Sequence, residues 1–212
     1  MKNDIFLIDF DGTITINDTT KCLAETVIPE MHKKYVKLFR EKKINVRMFV
    51  KDLLCSLNIS ENEFRQIIKE KVVIDSTFKN FFNSKLQFYI LSSGTQLNIL
   101  SALEKIKIQL DEKKIIANKI TFKGNNITID SPYYDEINGI NKSFVVNKFK
   151  AQGNRVIFVG DGPSDYEGCK FADVIFARKN SKLEKKLKEE KVKFYTFKDF
   201  DDLLGIYKKH IL

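Results

Sequence analysis

The fold turns on Ile5-Phe6-Leu7-Ile8-Asp9-Phe10-Asp11-Gly12-Thr13, an apolar run that ends in two carboxylates, a glycine and a threonine. A short, unbroken apolar run bounded by polar residues reads as a strand buried on both faces, which is the habit of parallel sheets. A carboxylate between Ile8 and Phe10 would be costly in a core, so it should line a site. In an open parallel sheet, ligands bind at the carboxyl ends of the strands. Side chains two apart on a strand share a face, so the spacing predicts that Asp9 and Asp11 address one reacting group. Gly12 lets the chain turn sharply behind them. An ordinary turn would account for Asp11-Gly12, but not for Asp9.

Working outward, residues 88–91, 156–159 and 174–177 form similar apolar runs, and residues 194–197 suggest an edge strand. Between them lie segments with helical spacing, such as Leu97, Leu100 and Leu103, then Phe144, Val145 and Phe149. This alternation predicts an α/β protein with a doubly wound, mostly parallel sheet. Residues 119–130 alternate around Gly124-Asn125-Asn126, the pattern of a β-hairpin. The interval 17–75 breaks the rhythm. Phe49, Val50, Leu53, Leu54 and Leu57 make one apolar stripe, and Ser60-Glu61-Asn62-Glu63 is a capping box opening a helix with Phe64, Ile67 and Ile68 inward. The expected organisation is a core of residues 1–16 and 76–212 with a helical insertion at 17–75.

Composition narrows the chemistry. The chain has 212 residues, enough for one large domain or two modest ones. No apolar run approaches the roughly 18 residues that cross a bilayer, and no signal peptide is read, so a soluble, cytoplasmic protein is expected. The 3 cysteines include no CxxC pair, and only 2 histidines are present, which leaves catalysis to carboxylates. The net charge of +9 raises nucleic acid or a membrane as partners. The excess is dispersed, however, and its densest stretch, residues 178–193, reads as a solvated helical face without the interleaved aromatics that stack on bases. Neither partner is therefore expected.

A second acidic pair follows residues 156–159 in Gly160-Asp161-Gly162-Pro163-Ser164-Asp165. Taken alone, it is equally a strand-to-helix loop with Asp165 as a helix N-cap. If its strand adjoins the first, Asp9, Asp161 and Asp165 converge, and their oxygens favour a hard divalent cation such as Mg2+. Ser92-Ser93-Gly94-Thr95, after another apolar run, places a hydroxyl and backbone N–H groups where an anion would sit. Lys142 opens a further helix. A phosphate dianion beside three ionised carboxylates sums to −5, so both a divalent cation and a lysine are needed, and Asp11 should stay protonated and able to act as an acid.

Together, Asp9 to Thr13, the run ending at Gly94, Lys142 and Gly160 to Asp165 resemble the haloacid dehalogenase-like hydrolase superfamily in order and spacing, over the whole chain. The resemblance implies a Rossmann-like core and a helical cap inserted after the first motif, as at residues 17–75. It implies a Mg2+-dependent phosphatase of a small phosphomonoester. Asp9 would be the nucleophile forming an aspartyl-phosphate, and Asp11 the general acid and then base. Ser92, Ser93, Gly94 and Lys142 would hold the phosphoryl group. Asp9, the Asp11 carbonyl and Asp161 would bind the metal, with Asp165 behind them. Dehalogenases of the superfamily generally lack an acid at the position of Asp11; a halide needs no proton on leaving and an alkoxide does. The chain is most similar to the branch holding phosphoserine phosphatase and the methionine-salvage phosphatase. It lacks the cysteine-rich stretch of the latter, having Asp130-Ser131-Pro132-Tyr133-Tyr134 instead. Asp18 stands where phosphoserine phosphatases place an acid for an amino group, and is equally a helix N-cap. Specificity residues in the cap are expected among Asp18, Arg47 and Lys51. A phosphomutase and a non-catalytic phosphate-binding module are the rival readings.

Overall fold

The structure, a computed structural model, describes residues 3–212 and divides into two compact units. The first comprises the chain up to Ile16 with Ile74–Leu91 and Lys142–Leu212; the second comprises Asn17–Val73 and Ser92–Asn141.

The first unit is built on parallel strands. β1 (Asp4–Ile8) pairs on one side with the start of β2 (Phe88–Thr95) and on the other with β7 (Arg155–Gly160). Beyond β7 lie β8 (Val174–Arg178) and β9 (Tyr195–Phe197), again parallel. The connections are α5 (Phe78–Asn83), α7 (Lys142–Ala151), α8 (Pro163–Cys169) and α9 (Lys182–Glu189), with α10 (Phe200–His210) closing the chain. Aromatic contacts show that both faces are covered. Phe6 meets Phe81 of α5 at 5.3 Å and Tyr207 of α10 at 5.1 Å. Tyr89 is paired with Leu7, so it points to the opposite face, and there it meets Phe149 of α7 at 4.6 Å. This is the expected doubly wound arrangement, and it explains why β1 is apolar at every position from Phe6 to Ile8.

The second unit holds four helices of the inserted segment, α1 (Thr19–Val27), α2 (Pro29–Arg40), α3 (Val46–Cys55) and α4 (Glu61–Lys71). To these it adds α6 (Gln96–Lys105), a hairpin of β3 (Ile115–Lys123) and β4 (Asn126–Asp130), and the short pair β5 (Tyr134–Asp135) and β6 (Gly139–Ile140). Ser60 caps α4 in a complete capping box with Glu63. Phe64 and Ile68 are buried, while Ile67 is only half-buried. Phe64 packs edge-on against Phe122 of β3 at 5.7 Å. The hairpin register runs from Lys119–Asp130 to Lys123–Asn126, leaving Gly124-Asn125 as a two-residue turn. No helix among the described residues is long and apolar enough to cross a membrane.

Three local expectations are corrected. β1 stops at Ile8, so Asp9 and Asp11 lie on a tight turn rather than two apart on a strand. β2 runs on through Ser92-Ser93-Gly94 to Thr95, whose hydroxyl caps α6 by accepting from Asn98 N. The serine pair is therefore extended chain, with the helix start displaced to the first residue able to cap it. Phe144 is 54% exposed, and α7 buries Val145, Val146 and Phe149 instead.

Candidate active site

β1 delivers Asp9 and β7 delivers Asp161, and because these strands are parallel neighbours their carboxyl ends coincide. Asp9 N donates to Val159 O at 2.8 Å, which continues the ladder for one residue beyond the strand. The chain then turns: Gly12 has φ +79°, Thr15 N returns to Phe10 O at 2.9 Å, and Gly12 N donates to Thr15 Oγ1 at 3.2 Å. A Cβ on Gly12 would lie 2.4 Å from Asp161 Oδ2, so only glycine permits both the turn and this approach of backbone to carboxylate. Thr13 Oγ1 donates to Asp161 Oδ1 at 3.0 Å.

Asp165 occupies the third helical position of α8, whose cap is Gly162. Its Oδ2 accepts from the backbone N–H groups of Asp161 at 3.0 Å and Gly162 at 2.8 Å. Gly160 makes room, since a Cβ there would sit 2.5 Å from the same oxygen. The two readings of Asp165 thus merge: it stabilises the helix start from inside rather than as the N-cap, and the same carboxylate faces the acidic cluster. Its Oδ1 accepts from Lys142 Nζ at 2.6 Å, and that ammonium also donates to Asp9 Oδ1 at 2.8 Å. Lys142 is 2% exposed, Asp9 6% and Asp165 fully buried.

Electrostatics follow from this burial. Desolvation first, and then the Asp165 carboxylate, push the Asp9 carboxyl well above the usual range; Lys142 opposes the rise and Asp161 adds to it. For Lys142, burial disfavours the charged form, yet Asp165 and Asp9 outweigh it and hold the pKa above that of an ordinary lysine. Oxygens of Asp9, Asp161 and Asp165 all lie within 4.8 Å of one another. Three carboxylates against one lysine leave an excess of two negative charges, and the donors are all hard oxygens. This set fits a small divalent cation. Asp165 already spends both oxygens on protein donors, so Asp9 and Asp161 are the better placed to coordinate. Asp11 sits half-buried on the turn.

The remaining sequence-singled residues fall in the second unit. Ser92 is buried, and its Oγ accepts from Gly94 N at 3.0 Å. Asp18 is exposed and caps α1 by accepting from Lys21 N at 2.7 Å. Arg47 and Lys51 on α3 line a cavity that also includes Ser93.

Sequence reasoning missed a brace beside the cluster. Arg178, assigned to a solvated face, is the last residue of β8. It donates to Thr13 O at 2.6 Å and to the buried Asp75 at 2.8 Å, where Asp75 also accepts from Thr77 Oγ1 at 2.6 Å. The available signal was its place at the carboxyl end of an apolar strand, the end of β1 at which Asp9 also lies. Asn118, buried on β3, was also passed over although it interrupts the apolar Ile115-Ile116-Ala117.

No family model matches the chain. It is 29% identical over 220 residues to the 2-hydroxy-3-keto-5-methylthiopentenyl-1-phosphate phosphatase of Lysinibacillus sphaericus, covering 97% of this chain and 94% of that one. It is 27% identical over 233 residues to the polyol phosphate phosphatase of Saccharomyces cerevisiae, covering 99% and 94%. Among solved structures, a phosphoserine phosphatase described as a phospho-aspartyl intermediate analogue superposes with a TM-score of 0.72 at 23% identity, covering 98% and 99%. These curated relatives, similar over nearly the whole chain, are named as phosphatases, and the solved phosphoserine phosphatase shares the chain's fold.

Proposed function

We propose that the protein is a Mg2+-dependent phosphomonoester hydrolase that works through an aspartyl-phosphate on Asp9. The observation that carries this reading is the convergence of Asp9, Asp161 and Asp165 within 4.8 Å, cross-linked by a buried lysine. Lys142 anchors Asp9 Oδ1 and so orients the carboxylate. Asp9 attacks phosphorus in line, the ester bond breaks, and the departing alkoxide takes a proton from Asp11. Asp11, now ionised, removes a proton from water, which attacks phosphorus and releases phosphate and free Asp9. Held by Asp9, Asp161 and the Asp11 carbonyl, Mg2+ would offset charge on the phosphoryl oxygens. Asp165 positions Lys142 and the Asp161 loop. Ser92, the Ser93-Gly94 backbone and Lys142 bind the phosphoryl group in this scheme.

Residues 1–16 and 76–212 form the catalytic core in this reading, and residues 17–75 the cap, with Arg47, Lys51 and Asp18 as its specificity residues. The substrate is a small cytoplasmic metabolite similar to that of the methionine-salvage phosphatases, which the curated similarity over nearly the whole chain supports. An aminated phosphomonoester of the phosphoserine type is the second reading, supported by the fold. Phosphate release from a panel of phosphorylated metabolites, with Mg2+ and then with chelator, tests the proposal. Hydrolysis should require Mg2+ and vanish in Asp9→Asn with the fold intact. Turnover retained in that variant would sink it.

A further inference from the structure

Asn118 interrupts an apolar strand, and a buried amide side chain is costly there unless its polar atoms find partners. It is 3% exposed, and its bonds are made within the second unit. Nδ2 donates to Ser93 O at 2.7 Å and to Gly94 O at 3.1 Å, and Oδ1 accepts from Ser131 Oγ. Both amide hydrogens are thereby committed. Carbonyls only accept, so the nitrogen must face them, and the Ser131 hydroxyl meets the oxygen. Gly139 closes in beside the amide, where an added Cβ would lie 3.4 Å from Nδ2.

These bonds constrain two successive peptide planes. In a regular strand consecutive carbonyls point to opposite sides, whereas here both converge on one nitrogen. No peptide among the described residues is cis, and across a trans peptide the N–H opposes the C=O. Gly94 N and Thr95 N therefore point away from Asn118. The first does so onto Ser92 Oγ, at 3.0 Å. Thr95 is anchored independently, since its Oγ1 donates to Asn98 Oδ1 at 2.8 Å and Asn98 Nδ2 donates to Thr19 Oγ1 at 2.7 Å. With the far end of the segment held in that way, Asn118 decides which way the two peptides face.

An oxyanion is attracted by N–H groups and repelled by carbonyl oxygens. Flipping either peptide would exchange one for the other. We propose that Asn118 is a positioning residue for phosphoryl transfer: by holding the carbonyls of Ser93 and Gly94, it keeps the N–H groups of Gly94 and Thr95 turned toward the phosphoryl oxygens. The proposal rests on the reading of Ser92-Ser93-Gly94 as the phosphoryl seat. Asn118 touches no reacting atom and acts only through this segment.

Two substitutions test it. Asn118→Leu keeps the size and removes the donor; Asn118→Asp keeps the shape and offers a donor only when protonated. Each is assayed in the full chain with Mg2+, on the best monoester of the metabolite panel, for kcat/KM and for inhibition by orthovanadate. Misplaced donors to a transferring group cost on the order of 10- to 100-fold in rate. Asn118→Leu should lose that factor in kcat/KM and in vanadate affinity alike. Its Mg2+ affinity without substrate should be unchanged, because Asp9 and Asp161 belong to the first unit. Asn118→Asp should show the same loss at about pH 8 and recover part of it toward about pH 5, since burial raises a carboxyl pKa and protonation restores a donor. A merely structural role would lower Tm, yet leave the vanadate affinity of the folded enzyme unchanged and the ratio to wild type independent of pH. Unchanged vanadate inhibition in a folded Asn118→Leu overturns the proposal with the catalytic reading intact. Where Asn118→Leu does not fold, a pH-independent ratio for Asn118→Asp does the same. A wild type that hydrolyses no monoester overturns the catalytic reading, and this proposal with it.

Discussion

Thr13 and Asp161 stand 148 positions apart in sequence, yet the hydroxyl of the first donates to the carboxylate of the second at 3.0 Å. The same threonine offers its carbonyl to Arg178, which is itself held by Asp75. The turn after β1 is therefore fixed at its backbone by one charged group, and in turn fixes the carboxylate after β7. Thr13→Val, nearly isosteric, should loosen Asp161 without disturbing the core. Loss of one hydrogen bond to a charged group, about 1.5–3 kcal/mol, predicts Mg2+ affinity roughly tenfold weaker or more, read by titrating the metal calorimetrically in the absence of substrate. Unchanged affinity would mean that Asp161 is placed by its backbone alone.

Lys142 bonds to both Asp9 and Asp165. Lys142→Met leaves two buried carboxylates without their counter-charge, at an expected cost of about 3–5 kcal/mol. Urea unfolding with and without Mg2+ checks the cause, because a divalent cation supplies part of the missing charge. The loss should be smaller with the metal. An equal loss in both buffers would point to packing rather than charge.

Gly12→Ala places a side chain at φ +79° and a Cβ 2.4 Å from an Asp161 oxygen. Strain of this kind costs about 1–3 kcal/mol, a modest fall in Tm. Displacing a metal-binding or reacting carboxylate by about an ångström lowers turnover on the order of a hundredfold. Activity should thus fall much further than stability, and comparable losses in both would count against the placement of Asp161 in the site.

Far from the site, the Tyr207 hydroxyl donates to Asp4 Oδ2 at 2.8 Å, and burial, with Asp4 beside it, pushes its pKa up to about 12. The native state thus keeps the phenolic proton after the unfolded chain has released it. The resulting stability is full below about pH 10 and is lost as pH rises toward 12. Tyr207→Phe removes that dependence. The stability difference between wild type and variant should shrink across this window, as followed by unfolding at stepped alkaline pH; a constant difference would refute the assignment.

The parallel core was legible because β1, β7 and β8 are buried on both faces and their sequences say so without interruption. The acidic loops were legible because carboxylates such as Asp9 are too costly in a core to be there by accident. The brace was not. Arg178 lies in the most basic stretch of the chain, where local charge argues for solvent, and only its tertiary partner Asp75 shows otherwise. The extension of β2 was hidden by Ser92-Ser93-Gly94, which has turn composition but is extended on both sides of each peptide. Asn118 was invisible for a related reason: a single polar residue on an apolar strand reads as noise until the serines that it ties together are seen.

β1 lies between two neighbours that arrive late, β2 from Phe88 and β7 from Arg155. On a ribosome adding about 5–20 residues per second, the first strand waits roughly ten seconds or more for the second of these. Through that interval an apolar segment bearing Asp9 has unsatisfied edges, and nothing downstream of it can complete the acidic cluster. Folding of the nascent chain must therefore close last at the place where its chemistry begins, which makes the C-terminal third, rather than the first strand, the point at which truncation or stalled translation would be felt most.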